Sequence, residues 1–354
     1  MTTIDRPLVF DSYLRPQIWG GDGLHQQLNK PHPPHFKMGE AWELSTLPEH
    51  ESRVMGGVFG GSSLSETWAR SHAEFPGQET FDDEFPWLVK WLDCAASLSL
   101  QVHPDDSMAR AALGQPQGKS EVWVIVHVEP GACIHAGLRA GVTRKMFEDR
   151  LADGSIDECL HSFQPQVGDC LSLPAGTVHT ARGVMMAEVQ QRSDATFRLF
   201  DWDRRDESGQ MRLLHQSQGL QAIDWKQGAI NPLVPQPLSA QPKGASGEVL
   251  LATSWVQLER FVVDRSWAVP YSGEITVWMV LDGNAELIDR AHDQRFQLPR
   301  GSTVLIPSAA KDVTWMPTPG GNSCQLLCIQ KSSKLNLNLT RIAHGRNAGL
   351  RQLV

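Results

Sequence analysis

The most constraining feature of this sequence is its punctuation. Short apolar runs recur, and most are closed within a few residues by glycine or proline. Trp87-Leu-Val-Lys-Trp-Leu92, Glu121-Val-Trp-Val-Ile-Val126, Val167 to Gly176, Ile275 to Leu281 and Leu298 to Pro307 all have strand length. Glu129-Pro-Gly131, Pro174-Ala-Gly176 and Asp282-Gly-Asn284 have turn chemistry. Many short strands separated by such turns predict a mainly β fold, a sandwich or a barrel. A membrane-spanning helix would need a run of about 18 or more apolar residues, and no run here approaches that.

Helical patterning is confined to a few segments. Ser63-Leu-Ser-Glu66 has capping-box spacing, in which the serine accepts from a helix-start N–H and the glutamate reaches back. A second helix is predicted over Thr143 to Asp153, with Phe147 and Leu151 on its apolar face and Gly154 as its stop. Leu213 to Ile223 reads as one amphipathic helix weakened by Gly219. Asn231 to Pro242 carries four prolines, which bars a helix or a central strand and predicts a linker.

At about 100–200 residues per domain, a chain of this length suggests two. Gly168 to Pro174 and Gly301 to Pro307 share a layout of glycine, short strand and proline, a weak internal repeat that implies two copies of one β unit. The boundaries expected are 1–205 for the first unit with its N-terminal strands and inserted helices, 206–245 for a helix plus proline-rich linker, and 246–354 for the second unit. The second copy has no histidine where the first has His179.

Charge and thiols limit the partners. The formal net charge is −8, which disfavours nucleic acid and anionic membranes as partners because both are polyanions. None of the six cysteines forms a C-x-x-C pair, so reduced thiols and a cytoplasmic location are expected. The N-terminus has no basic region followed by an apolar run, so no signal peptide is expected.

Three segments put metal-type donors on β elements. Gln101 and His103 lie two apart in Leu98-Ser-Leu-Gln-Val-His-Pro-Asp-Asp106 and would share a strand face. Glu121 closes Gly118-Lys-Ser-Glu121. His179 follows a tight turn in Pro174-Ala-Gly-Thr-Val-His-Thr180. Two imidazoles, a carboxylate and an amide oxygen suit Zn²⁺ and also Mn²⁺, Fe²⁺ or Co²⁺. Spacing alone favours buried, satisfied polar residues. Downstream, Glu188 to Arg204 is a charged stretch within a β region; it holds Glu188 and Arg198, and reads equally as a solvated edge strand.

Taken together, these runs resemble the type I phosphomannose isomerases of the cupin superfamily, in their shorter bacterial form. The residues that carry the resemblance are Trp19-Gly-Gly21, Gly39-Glu-Ala-Trp-Glu-Leu-Ser45, Leu98 to Asp106, Gly118 to Glu121, Pro174 to Thr180 and Glu188 to Arg204. They appear in family order and cover about 8–225. Ala41 and Phe197 depart from the family pattern, which has serine and tyrosine there. The resemblance implies two cupin-type jelly-roll β-sandwich units, the first catalytic and metal-binding, the second degenerate and without metal ligands.

It also implies one Zn²⁺ per chain, with other divalent metals possible, on Gln101, His103, Glu121 and His179. The reaction implied is interconversion of mannose 6-phosphate and fructose 6-phosphate by C1–C2 proton transfer through an enediolate. The proposed catalytic arginine falls on Arg198 and the active-site lysine on Lys119. The base is Lys119 or Glu188. Lys90, Ser99, Glu40 and Trp19 match substrate-pocket or cleft positions. Zn²⁺, Lys90, Lys119 and Arg198 would then make a positive pocket for one small phosphate. The partner expected is a small sugar phosphate, in a monomer or homodimer. The alternatives are another metal-dependent cupin enzyme, such as an Fe-type dioxygenase, and a non-enzymatic sugar-phosphate-binding cupin.

Overall fold

The computed structural model describes residues 3–31, 33, 36–72, 84–206, 208–270 and 273–332. Strands dominate, and those beside the site pair antiparallel. The chain divides into two compact units.

One unit comprises 12–52 and 85–233. Its sheet runs in the order Cys170–Leu173, Glu121–Leu138, His179–Gln191, Trp87–Cys94, Met38–Leu44, Tyr13–Gly21. Leu100–Val102 pairs with the start of His179–Gln191, and Phe197–Phe200 pairs with Leu100–Val102. Trp87–Cys94 and Met38–Leu44 are buried along their whole length, as expected for interior strands covered on both faces. Trp123, Ile134, Leu171, Ala181 and Met186 fill one apolar cluster. Leu100, Val102, Phe147 and Leu199 fill another.

Two local readings change. The turn read at Glu129-Pro-Gly131 is a bend inside the 18-residue strand Glu121–Leu138. The chain loops out with Gly131 at φ 78°, yet Val128 pairs with Val184 and Cys133 with Arg182, so one neighbour keeps both halves in a single strand. The helix read over Leu213 to Ile223 is the shorter Gln216–Ala222, because Leu213 and His215 instead make bonds to Arg198. The helix Arg144–Asp153 matches its signals: Thr143 Oγ1 accepts from Met146 N–H at 3.3 Å and Gly154 is left-handed.

The other unit draws on 1–11, 53–84 and 234–354. A seven-stranded sheet contains Leu8–Val9, Thr303–Ile306, Thr276–Asp282, Cys324–Gln330, Gln257–Val263, Ala245–Ala252 and Gln236–Pro237. A four-stranded sheet contains Trp267–Ala268, Val313–Pro317, Ala285–Asp289 and Gln294–Leu298. Phe261, Trp267, Trp278 and Trp315 pack in its core. Its helix Leu64–His72 starts with the expected reciprocal cap: Ser63 Oγ accepts from Glu66 N–H at 3.2 Å and Glu66 Oε2 accepts from Ser63 N–H at 2.9 Å.

This division differs from the boundaries read from sequence. Residues 1–11 and 53–84 group with the C-terminal strands, because Leu8 pairs with Leu305 and Val9 with Val304. The proline-rich stretch contributes the edge strand Gln236–Pro237, a position where the missing proline N–H costs no ladder bond. The end of the expected second unit, 333–354, lies outside the described residues. Among the described residues no helix is long and apolar enough to cross a membrane. All six cysteines are free thiols.

Candidate metal centre

Backbone packing brings two of the sequence motifs together. A Cβ at Gly118 would lie 2.3 Å from the Pro104 carbonyl oxygen and 2.4 Å from the Asp105 carbonyl carbon. Only glycine permits that approach. Gly118 N–H donates to Asp106 Oδ1 at 2.8 Å and Lys119 N–H to the Pro104 carbonyl at 3.0 Å. Gly-Lys-Ser-Glu is thereby locked beside His-Pro-Asp-Asp. On the other side, His179 stands opposite Gln101 in register, and the turn before it is closed by Thr177 Oγ1 donating to the Pro174 carbonyl at 2.6 Å.

The four candidate ligands converge. His103 Nε2 lies 3.3 Å and His179 Nε2 3.1 Å from the two oxygens of Glu121. Gln101 Nε2 lies 3.1 Å from His179 Nε2; a half-turn of the amide would present its oxygen there instead. His103, Glu121 and His179 are buried, with ligand atoms within 4.8 Å of one another, and form the one such triad found among the described residues. His103 Nδ1 contacts the Ala195 carbonyl and His179 Nδ1 the Thr177 carbonyl, both at 2.9 Å. A carbonyl only accepts, so each Nδ1 carries the hydrogen and each Nε2 turns a lone pair inward. Burial, then Lys119, lowers the His103 pKa to about 4, so the ring is neutral.

His103 Nε2 and both Glu121 oxygens are buried with no hydrogen-bond partner among the described residues. Burial alone would raise the Glu121 pKa, but Lys119 and the two imidazoles hold it well below the usual carboxylate range. The neutral, inward-facing nitrogen of His103 and the ionised carboxylate it faces are what a divalent cation satisfies. The donor set fits a metal.

A wall of buried charge adjoins the triad. Lys119 Nζ lies 3.1 Å from Glu121 Oε2 and 4.0 Å from Glu188 Oε1. Lys90 Nζ lies 3.2 Å from Asp194, 3.4 Å from Glu188 and 3.6 Å from Glu40. Burial would depress the Lys90 amine, but those three carboxylates outweigh it and hold its pKa above the ordinary value. Burial and the neighbouring Glu121 push Glu188 upward. Trp123 Nε1 donates to Glu188 Oε2 at 2.9 Å, while Oε1 has no hydrogen bond among the described residues. Glu40 accepts from Trp42 Nε1 at 2.7 Å and Gln17 Nε2 at 2.6 Å.

The positive pocket was expected of Zn²⁺, Lys90, Lys119 and Arg198 together, and the protein groups do not supply it by themselves. Arg15, Lys90 and Lys119 are set against Glu40, Glu121, Glu188 and Asp194, so the protein groups are not net positive. Asp194 and Arg15 were missed in the sequence. Asp194 holds Lys90 and Arg15, each at 3.2 Å; it lay in a run read as a block of charge, and its partners are distant in sequence.

The remaining candidates divide. Ser99 Oγ is 3.4 Å from Gln101 Oε1. Arg198 stands opposite Gln101 in register, on the same face of the strand pair; its Nη1 donates to the Leu213 carbonyl at 2.8 Å. Trp19 is packed in the apolar cluster with Leu92, Leu98 and Trp123.

The chain is similar to known mannose-6-phosphate isomerases. The profile described as "Phosphomannose isomerase type I, catalytic domain" matches residues 8–119. The chain is 31% identical to mannose-6-phosphate isomerase ManA of Bacillus subtilis over 314 residues, 87% of this chain and 94% of that protein. It is 29% identical to mannose-6-phosphate isomerase of Streptococcus mutans over 311 residues, 86% of this chain and 93% of that protein. The crystal structure of a mannose 6-phosphate isomerase from Bacillus subtilis superposes with a TM-score of 0.81 at 26% identity, covering 92% of this chain and 99% of that one.

Proposed function

The chain belongs to the type I phosphomannose isomerases, and from that premise we propose that it interconverts mannose 6-phosphate and fructose 6-phosphate in the cytoplasm, with one zinc ion on Gln101, His103, Glu121 and His179. The observation that carries the reading is the buried triad whose ligand atoms face one another beside two buried lysines, with His103 Nε2 and both Glu121 oxygens lacking a hydrogen bond among the described residues. Zinc, when bound there, supplies a Lewis acid for the sugar's carbonyl and hydroxyl oxygens.

The hard step is removal of the proton on the carbon next to the carbonyl, because the resulting enediolate places negative charge on oxygen. Glu188 is the better of the two candidate bases. Its burial raises its proton affinity, and its Oε1 is free of hydrogen bonds among the described residues. It takes the proton from C2 of the open-chain aldose and returns it to C1, while the hydroxyl proton on O2 passes to O1, so that C2=O forms as C1=O becomes C1–OH. Lys119 and Arg198 counter the oxyanion charge while it exists. Ser99 and Lys90 bind the phosphate, and Glu40 holds Lys90 in place.

A chelator followed by stepwise return of Zn²⁺ tests the assignment. Fructose 6-phosphate formation from mannose 6-phosphate should vanish and then recover with one equivalent. An enzyme that turns over neither with Zn²⁺ nor with Mn²⁺, Fe²⁺ or Co²⁺ overturns it.

A further inference from the structure

We propose that the Asp201–Arg212 ion pair is a positioning clamp for the Arg198 guanidinium; the proposal rests on the reading that Arg198 acts on the sugar. Pairing of Phe197–Phe200 with Leu100–Val102 fixes only the root of the Arg198 side chain. The segment after Arg212 fixes the rest. His215 Nδ1 accepts from the Arg198 backbone N–H at 3.3 Å, and His215 N–H donates to the Arg198 carbonyl at 2.7 Å. The tip is held by the Leu213 carbonyl at 2.8 Å. The Leu213 side chain is 73% exposed, so apolar burial does not hold this carbonyl in place.

What does hold it is the residue next door. Arg212 Nε and Nη2 donate to the two oxygens of Asp201 at 2.8 and 2.5 Å, a planar two-point grip that fixes orientation as well as distance. Asp201 is 3% exposed and also accepts from Arg204 Nη2 at 2.6 Å. Arg204 Nη1 donates in turn to the Ser97 carbonyl, and Trp202 Nε1 to the Leu98 carbonyl at 2.6 Å. Asp201 is therefore tied to the entry of the strand that carries Gln101. Trp202 and Asp203 adopt φ of 57° and 51° in succession, a left-handed pair that side chains avoid unless their surroundings over-determine it. Asp201 is also the carboxylate shared by Arg204 and Arg212; without it, unneutralised guanidinium charge would lie near Arg198.

The test uses the full-length zinc-loaded protein with mannose 6-phosphate and the variants Asp201→Asn, Arg212→Gln and Arg198→Lys. Each single change should lower kcat about tenfold or more and move KM less than about threefold, with zinc content unchanged. In the Arg198→Lys background, adding Asp201→Asn or Arg212→Gln should remove less than about a further twofold, because the group they position is already gone. Full multiplication of the losses would mean a general structural role and overturns the clamp. An Arg198→Lys protein with normal kcat removes the reading of Arg198, and the clamp with it. A crippled Arg198→Lys beside a normal Arg212→Gln overturns the clamp alone. Arg212 is partly solvated, with 19% of its side-chain surface exposed, so its variant decides the matter if Asp201→Asn does not fold.

Discussion

Each imidazole of the triad is steered by a single backbone carbonyl, Ala195 for His103 and Thr177 for His179. This orients the ligand nitrogens before any ion arrives, and outer partners of this kind commonly tune affinity as well. His103→Ala should therefore lose bound zinc, read by elemental analysis after dialysis, and lose turnover with it; retained zinc would remove His103 from the ligand set. Asp194 offers a pH test. Lys90 holds its pKa down to about 2 against the opposing effect of burial, whereas an unfolded aspartate protonates near pH ~4. Between those values the unfolded chain binds more protons, so stability rises with pH there. The contribution is complete above about pH 4 and is lost as pH falls toward 2. Asp194→Asn should unfold more easily than wild type at pH 7, with the difference in urea midpoint closing at the acid end. A pH-independent difference would show that charge pairing is not its cause. The candidate ligands were legible because each sits in a compact motif. Asp194 and Arg15 were not, because their meaning comes from Lys90 and Glu40, which the chain delivers from distant strands.

Among the elements, the signals that read correctly were the short-range ones. The cap at Ser63 and Glu66, the Thr143–Gly154 helix bounds and the strand runs at Trp87, Glu121 and Thr276 are all encoded within a few residues. The failures came where a distant partner overrode local chemistry. Glu129-Pro-Gly131 has turn residues, but the strand His179–Gln191 keeps both sides paired. Gly118 makes the opposite point, since its local sequence looks permissive while Pro104 and Asp105 forbid any side chain. Gly118→Ala should cost about 1–3 kcal/mol through overpacking and weaken zinc binding by displacing Glu121. Chemical denaturation and metal titration read the two effects. An alanine variant with wild-type values in both would mean that the contact relaxes freely.

In the whole molecule, tryptophan supplies much of the core. Trp42, Trp87, Trp91 and Trp123 are wholly buried in the unit that holds the site, and Trp315 joins Trp267 and Trp278 in the other. At about 150–250 Å² per ring and roughly 25 cal/mol per Å², each buried indole contributes about 4–6 kcal/mol before the entropy of ordering it. The mainly β architecture was legible, but the membership of the units was not, because pairing of Leu8 with Leu305 leaves no trace in the residues near either one. A fragment ending at residue 233 would retain every candidate ligand and still strip Leu8–Val9 and the 53–84 segment of their partners. It should be insoluble or aggregated on size exclusion, and a monodisperse, zinc-binding fragment would contradict this.

The same interleaving has a consequence in time. The chain passes between the units four times, and the first two visits to the C-terminal unit are over by residue 84. Thr303–Ile306, the sheet partner of Leu8–Val9, leaves the ribosome roughly 220 residues after residue 84. At about 5–20 residues per second, the nascent helix that carries Leu64 and Trp68 waits on the order of ten to forty seconds for those strands of its unit. During that interval Leu64 and Trp68, buried in the finished fold, have only the N-terminal residues of their own unit to pack against.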